Sequence, residues 1–471
     1  MTEVIDFING LLWGSVLIYL LIGTGLYFTI KLGFIQFRHF THMFSVLAGS
    51  RKSSNEGVSS FQALCTSLAA RVGTGNLAGV AVAITAGGPG AVFWMWLIAV
   101  IGMATSFAES SLAQLFKTKD VDGNFRGGPA YYMEKGLGRR WMGVVFSICL
   151  IVAFGLVFNA VQSDAIANSM NNAFGFDKTI VGIVLVVFTS VIIFGGLRVI
   201  GAFAEIVVPF MALAYILIAF VVVAMNISEL PAVFELIIKS AFGLDEAAGG
   251  ALGVAMMQGI KRGLFSNEAG MGSAPNAAAS AAPFPNHPAS QGYVQMLGVF
   301  IDTIVICTAT ASIILLSDLG DTSGIGGIEL TQHALSSHVG DWGSTFVAIA
   351  ILFFAFTSIV ANYSYAETSI LFLNRDSKVM VWIFRVAVLG MVMFGAVAKS
   401  DLIWNMADAS MGLMALVNII AILMLSKFVI IIAKDYNKQL DAGKTPTFDS
   451  SEYPEIDKII NSEIWNAKLK K

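Results

Sequence analysis

Two stretches of the sequence place glycine, hydroxyl and amide side chains inside apolar surroundings. They are "SLAARVGTGNLAGVAVAITAGGPG" (residues 67–90, the first interrupted segment) and "GVAMMQGIKRGLFSNEAGMGSAPNAAAS" (residues 253–280, the second interrupted segment). A helix that unwinds at such residues frees backbone N–H and C=O groups, which lipid cannot satisfy. The N-terminal ends of half-helices attract a carboxylate, and freed carbonyls hold an ammonium group or Na⁺. The expected chemistry is therefore non-covalent binding of an amino acid and a small cation.

Two other interpretations of these stretches are weaker. Glycine also permits close packing of membrane helices, which would need no ligand. A nucleotide-binding loop is disfavoured because the glycines of "GTGNLAG" run G-x-G-x-x-x-G and no strand precedes them. The presence of two polar interruptions, rather than one, favours a binding site.

The composition indicates a chain that resides in a membrane. Hydrophobic residues make up 56% of the 471 residues and charged residues 13%, and the mean hydropathy is +0.77. A soluble protein this apolar would expose large adhesive patches, whereas spans of about 20 residues bury that surface in a bilayer. The net charge of −3 also argues against a nucleic-acid partner. The acidic start lacks the basic region of a signal peptide, so the first apolar run is expected to be a retained span.

Apolar runs predict eleven membrane spans, so the fold class is all-α and polytopic. Their centres fall near residues 20, 70, 102, 157, 188, 212, 262, 304, 357, 387 and 418. Basic residues cluster in alternate connections and in the C-terminal tail, while only Lys178, Lys239 and Lys399 fall in the opposite connections. Because the richer side is cytoplasmic by the positive-inside rule, the N-terminus is expected outside and the C-terminus inside.

The two interrupted segments lie five spans apart, so they cross the membrane in opposite directions. This arrangement predicts a 5+5 inverted repeat with one extra N-terminal helix. The expected divisions are residues 1–56 for the extra helix and its connection, 57–225 for the first repeat, 226–433 for the second repeat and 434–471 for a cytoplasmic tail. The last stretch of the tail could form a short surface helix.

Six motifs resemble the alanine or glycine:cation symporter family, also called the sodium:alanine symporters. They are "RVGTGNLAGVA", "GGPGAVFWMW", "GMATSFAES", "GGPAYYMEKGL", "GLFSNEAGMGSAP" and "FAFTSIVANYSYAE". The resemblance runs from residue 61 to about residue 425. It implies a leucine-transporter-type fold, a cell-membrane location and sodium-coupled import of small neutral amino acids such as alanine and glycine. It implies Na⁺ as the coupling ion, with no organic cofactor and no enzymatic activity.

The resemblance also implies two sets of site residues. The substrate set is Thr74, Gly75, Asn76, Gln162, Phe265, Ser266 and Asn267. The sodium set is Ala69, Val72, Phe354, Thr357 and Ser358, with the first three contributing carbonyls. Taken alone, Gln162 is better explained by an interhelical hydrogen bond and the two hydroxyls by bonding back to their own helix, and Phe265 is also consistent with packing. The resemblance favours the binding roles instead.

Several charged residues fall inside the predicted spans, where charges are costly and face protein or a cavity. They are Arg71, Glu109, Asp164, Glu205, Lys261, Arg262, Glu268, Asp302, Glu367, Arg385 and Asp408. Arg71 and Glu268 lie in the two interrupted segments. One hypothesis makes them part of a gate that rearranges during transport, and its rival makes them static contacts.

Two other function classes fit the sequence less well. A channel would need a continuous polar stripe through the membrane, whereas the polar residues cluster at mid-depth. A membrane-embedded enzyme would need a catalytic or metal-binding constellation at usable spacing, and none is evident. The sequence leaves the oligomeric state open.

Overall fold

The computed structural model describes residues 2–50, 57–120, 123–195, 197–244, 249–319, 325–374, 377–460 and 462–466. In these ranges eight helices are long and apolar enough to cross a membrane. They are Thr2–Lys31, Ala91–Leu115, Arg140–Phe174, Val199–Met225, Pro288–Leu315, Trp342–Leu373, Lys378–Val397 and Ser400–Met424. The pair Ser60–Arg71 and Gly75–Gly87 is long and apolar enough as one bent span. The predicted all-α, polytopic fold class is confirmed.

Helices also occupy the two remaining predicted positions. Lys178–Ile193 is apolar but has only 16 residues, which is short for a span. Gly249–Asn267 has 19 residues and carries Lys261 and Arg262 near its end, which lower its hydropathy. The division into two five-helix repeats stays a prediction.

The spans differ in how far they are enclosed by protein. Ala91–Leu115 is mostly buried, and Arg140–Phe174 and Pro288–Leu315 are largely so. By contrast, Val199–Met225 exposes large apolar side chains such as Ile206 and Phe210, at 74% and 75% exposure. Exposed aliphatic and aromatic side chains of this kind suit contact with lipid tails. The enclosed spans therefore form the interior of the molecule, and both interrupted segments pack against them.

Shorter elements connect and modify the spans. Helices in the connections and tail are Ile35–Arg38, Phe40–Gly49, Pro129–Leu137, Leu230–Phe242, Gly327–Val339, Ser426–Asp441, Pro454–Asp457 and Ser462–Trp465, with a 3₁₀ turn at Ser450–Glu452. π-helical turns occur at Leu12–Val16, Gly75–Gly79, Ile151–Val157 and Phe300–Cys307. π-helical turns inside α-helices are often found at functional sites.

A capping box fixes the start of the first interrupted segment. The Ser59 hydroxyl oxygen accepts from the Gln62 backbone N–H, and the Gln62 side-chain oxygen accepts from the Ser59 N–H. The strand Val58–Ser59 pairs in parallel with Ala281–Ala282, which follow the second interrupted segment. A second strand pair, Thr118–Lys119 with Phe125–Arg126, is antiparallel. The first pair ties the two interrupted segments together at one end.

The C-terminal tail packs against the rest of the protein instead of forming only a surface helix. Ser426–Asp441 continues as a helix past the expected start of the tail. Trp465, at the end of the last short helix, is 2% exposed, and its indole N–H donates to the Gln114 carbonyl over 3.1 Å. The Lys117 ammonium lies 5.1 Å from the Trp465 ring centroid and 3.8 Å from that of Phe125. The tail is therefore anchored at the end of Ala91–Leu115.

A histidine and an aspartate join the tail helix to the loop before Pro288–Leu315. His287 Nε2 lies 3.0 Å from Asp435 Oδ2, and His287 Nδ1 accepts from the Ala289 N–H. Burial lowers the pKa of His287 below its ordinary value, although Asp435 opposes this effect. A neutral ring suits the geometry, since Nδ1 must stay unprotonated to accept the bond.

We expect acidification to weaken docking of the tail. The pKa of His287 is lower in the docked state than in the undocked state. The stabilisation of the docked tail by the neutral His287 ring is therefore fully present above pH about 6.5 and is lost as the pH falls below that value. Hydrogen exchange of residues 426–466, corrected for intrinsic rates, should show less protection at pH 5 than at pH 7.5. The His287→Gln variant cannot titrate at this position and should lack this change. An equal loss of protection in that variant would contradict the assignment to His287.

Candidate functional site

The first interrupted segment breaks at residues 72–74 and bends by 49°. Its initial helix ends at Arg71, and Val72 has a ψ of 83°, which is far from helical. Two side chains satisfy the N–H groups at the break. The Gly73 N–H donates to Asn76 Oδ1 over 2.9 Å, and the Thr74 N–H donates to Gln162 Oε1 over 2.9 Å. The Thr74 hydroxyl donates to the same Gln162 oxygen over 2.7 Å.

The second interrupted segment breaks at residues 268–274, between Gly249–Asn267 and Pro275–Ser280. Glu268 and the following glycines at 270 and 272 have positive φ angles of 59°, 91° and 86°. The left-handed conformation is costly for a residue with a Cβ such as glutamate, so the surrounding contacts must hold the turn in place. The Asn267 side-chain oxygen accepts from the Ala269 N–H over 3.0 Å, so Asn267 holds its own loop.

Asp302 joins the two interrupted segments. From the first segment, Asn76 Nδ2 donates to Asp302 Oδ1 over 2.7 Å. From the second, the Ser266 hydroxyl donates to Asp302 Oδ2 over 2.8 Å. All three side chains are fully buried. The sequence marked Asp302 only as an intramembrane charge, because its separation from Asn76 by 226 residues gives no sign of contact.

Gly75 and Phe265 also bring the segments together. A Cβ on Gly75 would lie 3.1 Å from Phe265 Cδ1 and 3.1 Å from Ser266 Cα. The Phe265 ring stacks on Phe158, with centroids 4.6 Å apart, and lies 4.9 Å from the Trp404 ring. The predicted substrate residues therefore converge, with Asn267 set to one side. Phe158 and Trp404 join them, although no pattern in the sequence singles them out.

The predicted sodium residues form a second group close to Gly73. The Ser358 hydroxyl lies 2.7 Å from the Ala69 carbonyl and 3.0 Å from the Phe354 carbonyl. The Thr357 hydroxyl bonds to Phe354 over 2.9 Å. Bonding back to the helix is therefore observed for both hydroxyls, and Ser358 also reaches the first interrupted segment. Val72 is buried at the break itself.

Gly73 lies next to both groups of predicted site residues. A Cβ built on Gly73 would lie 2.3 Å from Ser358 Oγ and 2.8 Å from Gln162 Oε1. Distances below about 3.0 Å are not found for real Cβ atoms. Ser358 of the predicted sodium set and Gln162 of the predicted substrate set thus both contact the space that a side chain at residue 73 would occupy.

Arg71, Glu109 and Glu268 each form hydrogen bonds to uncharged groups. Glu109 accepts from the Gly270 N–H over 3.2 Å and from Asn418 Nδ2 over 2.9 Å. Arg71 donates to the Gln295 carbonyl over 3.2 Å, and Glu268 accepts from the Ser273 hydroxyl over 2.6 Å. Among the ion pairs found in the described ranges, none joins Arg71 to Glu268 directly. Both the gate and the static interpretation of these two residues stay open.

A cavity of about 460 Å³ leads from the site toward the side that the basic residues predict to be extracellular. Its lining includes Thr74, Asp164, Glu329, Asp401 and Trp404. On the opposite side a cavity of about 30 Å³, lined by residues such as Phe125, Asn276 and Tyr365, has room for only a few water molecules. The first of these cavities therefore gives access to the site from that side of the protein.

Comparisons with known proteins identify the family of this chain. The model of the sodium:alanine symporter family matches residues 1–450. A probable sodium/glutamine symporter of Bacillus subtilis is 54% identical, covering 98% of this chain and 96% of its own. An amino-acid carrier protein of the same organism is 52% identical, covering 95% and 94%. A sodium/alanine symporter of Methanococcus maripaludis is 39% identical, covering 93% and 97%. The chain therefore belongs to the sodium:alanine symporter family, which makes it a membrane transporter and not an enzyme.

Proposed function

We propose that this protein imports small neutral amino acids, alanine and glycine above all, together with Na⁺ by alternating access. The observation that carries the proposal is the meeting of two broken helices at buried polar groups that a cavity reaches from one side. Such half-helix ends suit the carboxylate and ammonium groups of an amino acid. The proposal includes residence in the cell membrane, with the N-terminus outside and the C-terminus in the cytoplasm.

The substrate is proposed to bind at Thr74, Gly75, Asn76, Gln162, Phe265, Ser266 and Asn267. Phe265 is held between Phe158 and Trp404, so its ring has little freedom to move away from a longer substrate side chain. Each excluded methylene is worth roughly 1–3 kcal/mol of discrimination. This enclosure favours alanine and glycine over larger amino acids.

Sodium is proposed to bind between the first interrupted segment and Trp342–Leu373. The ligands would be the carbonyls of Ala69, Val72 and Phe354 and the hydroxyls of Thr357 and Ser358. Hard cations prefer oxygen ligands of this kind. One Na⁺ moving inward across about 100 mV releases roughly 2.3 kcal/mol. A tenfold gradient adds about 1.4 kcal/mol, so one ion could support roughly 500-fold accumulation.

Uptake into proteoliposomes tests the proposal. Vesicles containing the full-length protein should accumulate labelled alanine under an inward Na⁺ gradient and not under a matched K⁺ gradient. Unlabelled glycine should compete strongly, whereas glutamine, after which the 54% identical relative is named, should compete weakly. Equal accumulation with K⁺ would remove sodium coupling, and stronger competition by glutamine would overturn the proposed substrate class.

Thr357→Ala should raise the sodium concentration for half-maximal uptake by roughly tenfold, because a lost ligand of a desolvated cation costs about 1.4 kcal/mol or more. The measurement is alanine uptake at varied Na⁺ concentrations. Ser364→Ala is the matched control, since its hydroxyl lies on the same helix and, among the described residues, donates to the Ala361 carbonyl alone, over 2.6 Å. An unchanged sodium response in Thr357→Ala would show that the cation binds elsewhere.

A further inference from the structure

The narrow cavity on the predicted cytoplasmic side lies where a passage from the site to the cytoplasm would have to open. Its lining includes Val58, just before the helix of the first interrupted segment, and Ser280, at the end of the second. The strand pair Val58–Ser59 with Ala281–Ala282 joins these two ends. A cavity of about 30 Å³ cannot pass an amino acid. Release to the cytoplasm therefore requires the two ends to move apart.

The residues at the end of Ala91–Leu115 hold this strand pair in place. The Gln114 side-chain amide donates to the Ala281 carbonyl over 3.0 Å, and the Lys117 ammonium donates to the same carbonyl over 2.7 Å. Gln114 also donates to the Ala278 carbonyl. Both side chains are buried. The closed arrangement thus depends on where Gln114 and Lys117 lie.

The C-terminal tail contacts these same two residues. The Trp465 indole N–H donates to the Gln114 backbone carbonyl over 3.1 Å. The Lys117 ammonium lies over two rings, 5.1 Å from the centroid of Trp465 and 3.8 Å from that of Phe125. Phe125 lines the narrow cavity. One side chain, Lys117, therefore contacts the tail, the lining of the cavity and the strand pair.

The tail also contacts the loop that follows the second interrupted segment. The Phe448 N–H donates to the Asn286 carbonyl over 3.0 Å, and the Asp435 carboxylate lies 3.0 Å from His287. The Phe448 ring lies 6.0 Å from that of Trp465, so the two contacts belong to one packed unit. The surface that receives the tail thus has two parts, one at the end of the buried span and one in the loop. The tail bridges them.

We propose that the tail, residues 426–466, is a latch that holds the cytoplasmic side closed and slows its opening. A contact shifts an equilibrium between two states only by the difference in its free energy between them. The two-part surface supplies that difference, because parting the interrupted segments moves Ala281 away from Gln114 and Lys117. The loop that carries Asn286 then moves relative to the position of Trp465. The inference rests on the proposed alternating access and adds a regulatory element to it.

Thiol labelling in inside-out vesicles measures this opening without requiring transport. The full-length protein carries serine at the three native cysteines, Cys65, Cys149 and Cys307, and Thr66→Cys provides the probe. Thr66 lines the narrow cavity, and its hydroxyl donates to the Gln62 carbonyl of its own helix over 2.9 Å. A membrane-impermeant maleimide should reach this thiol from the cytoplasmic face only when the cavity widens.

Trp465→Ala should raise the labelling rate by about tenfold, equivalent to about 1.4 kcal/mol, because the tail loses its contacts with Gln114 and Lys117. Hydrogen exchange of residues 426–466 should lose protection in the same variant. Trp141→Ala is the matched control, since it removes a tryptophan that is 63% exposed near the same predicted side. It should change neither measurement.

Trp465→Phe provides a milder test. This variant keeps an aromatic ring for Lys117 but cannot donate to the Gln114 carbonyl, so its labelling rate should rise by less than that of Trp465→Ala. If Trp465→Ala does not yield folded protein, as judged by size-exclusion chromatography, Trp465→Phe decides the matter. A rate equal to that of the wild-type tail would then contradict the proposal.

Other outcomes separate the latch from the proposed function. An unchanged labelling rate in Trp465→Ala, or tail protection that does not depend on Trp465, would overturn the latch and leave the proposed function intact. An equal increase in Trp141→Ala would also overturn it, because the effect would not be specific to the docked tail. If the Thr66→Cys protein with its native tail is never labelled from this face, with or without Na⁺ and alanine, the proposed alternating access fails, and the inference fails with it.

Discussion

Replacing Gly73 with alanine is expected to weaken both sodium binding and amino-acid binding by at least about tenfold each, or roughly 1.4 kcal/mol per ligand. The added Cβ would lie 2.3 Å from Ser358 Oγ and 2.8 Å from Gln162 Oε1. Neither neighbour can retreat freely. Ser358 is held by the Ala69 and Phe354 carbonyls, and the Gln162 oxygen is held by Thr74. Overpacking of this kind typically costs about 1–3 kcal/mol.

Gly79→Ala is the matched control for Gly73→Ala. It makes the same substitution in the same segment, but the nearest atoms to its added Cβ are 3.8 Å and 3.9 Å away, an ordinary contact distance. Half-saturating Na⁺ and alanine concentrations should both rise in Gly73→Ala and stay near wild type in Gly79→Ala. A Gly73→Ala protein that transports with wild-type values for both ligands would show that the two proposed sites are not neighbours.

Asp408→Asn is expected to destabilise the protein by about 3–5 kcal/mol, because removing one partner of a buried ion pair leaves uncompensated charge. Asp408 Oδ2 lies 2.7 Å from Arg262 Nη2 and 3.1 Å from Lys261 Nζ. The Asp408 and Arg262 side chains are 3% and 4% exposed. Two cations of the second interrupted segment thus depend on one carboxylate of Ser400–Met424.

Thermal unfolding in a mild detergent measures this effect. Asp401→Asn is the control, since Asp401 lies two turns earlier in the same helix and is exposed. The unfolding temperature should fall clearly for Asp408→Asn and little for Asp401→Asn. Adding Arg262→Met to Asp408→Asn should recover part of the loss, because it removes one of the unpaired charges. Equal unfolding temperatures for Asp408→Asn and wild type would mean that water or another group compensates the two cations.

The sequence predicted the architecture well because bilayer spans are long and their pattern is local. Helices lie at all eleven expected positions, including the bent first interrupted segment. The two breaks were also predictable, because glycine and polar residues in the middle of an apolar run indicate a helix that unwinds there. The breaks occur at residues 72–74 and 268–274, inside the stretches that the composition marked.

Contacts between distant residues were not predictable in the same way. Nothing in the spacing of Asn76, Ser266 and Asp302 shows that they bond to one another. Trp404 likewise resembles an ordinary apolar position until its ring is seen beside Phe265.

The tail differed from expectation for another reason. Its polar composition is typical of an extension, yet a few apolar residues such as Trp465 are enough to dock it.

The docked tail has a practical consequence for anyone who purifies or images this transporter. Trp465 lies against the Gln114 carbonyl and Lys117, and Lys117 in turn contacts Phe125, which lines the narrow cavity. A fluorescent protein or affinity tag fused after residue 471 would be tethered only six residues from that contact. We expect such a fusion to disrupt the contacts of Trp465 or to block the narrow cavity that Phe125 lines. Fusion at the amino terminus, ahead of Thr2–Leu11, would place the added bulk on the opposite predicted side of the bilayer.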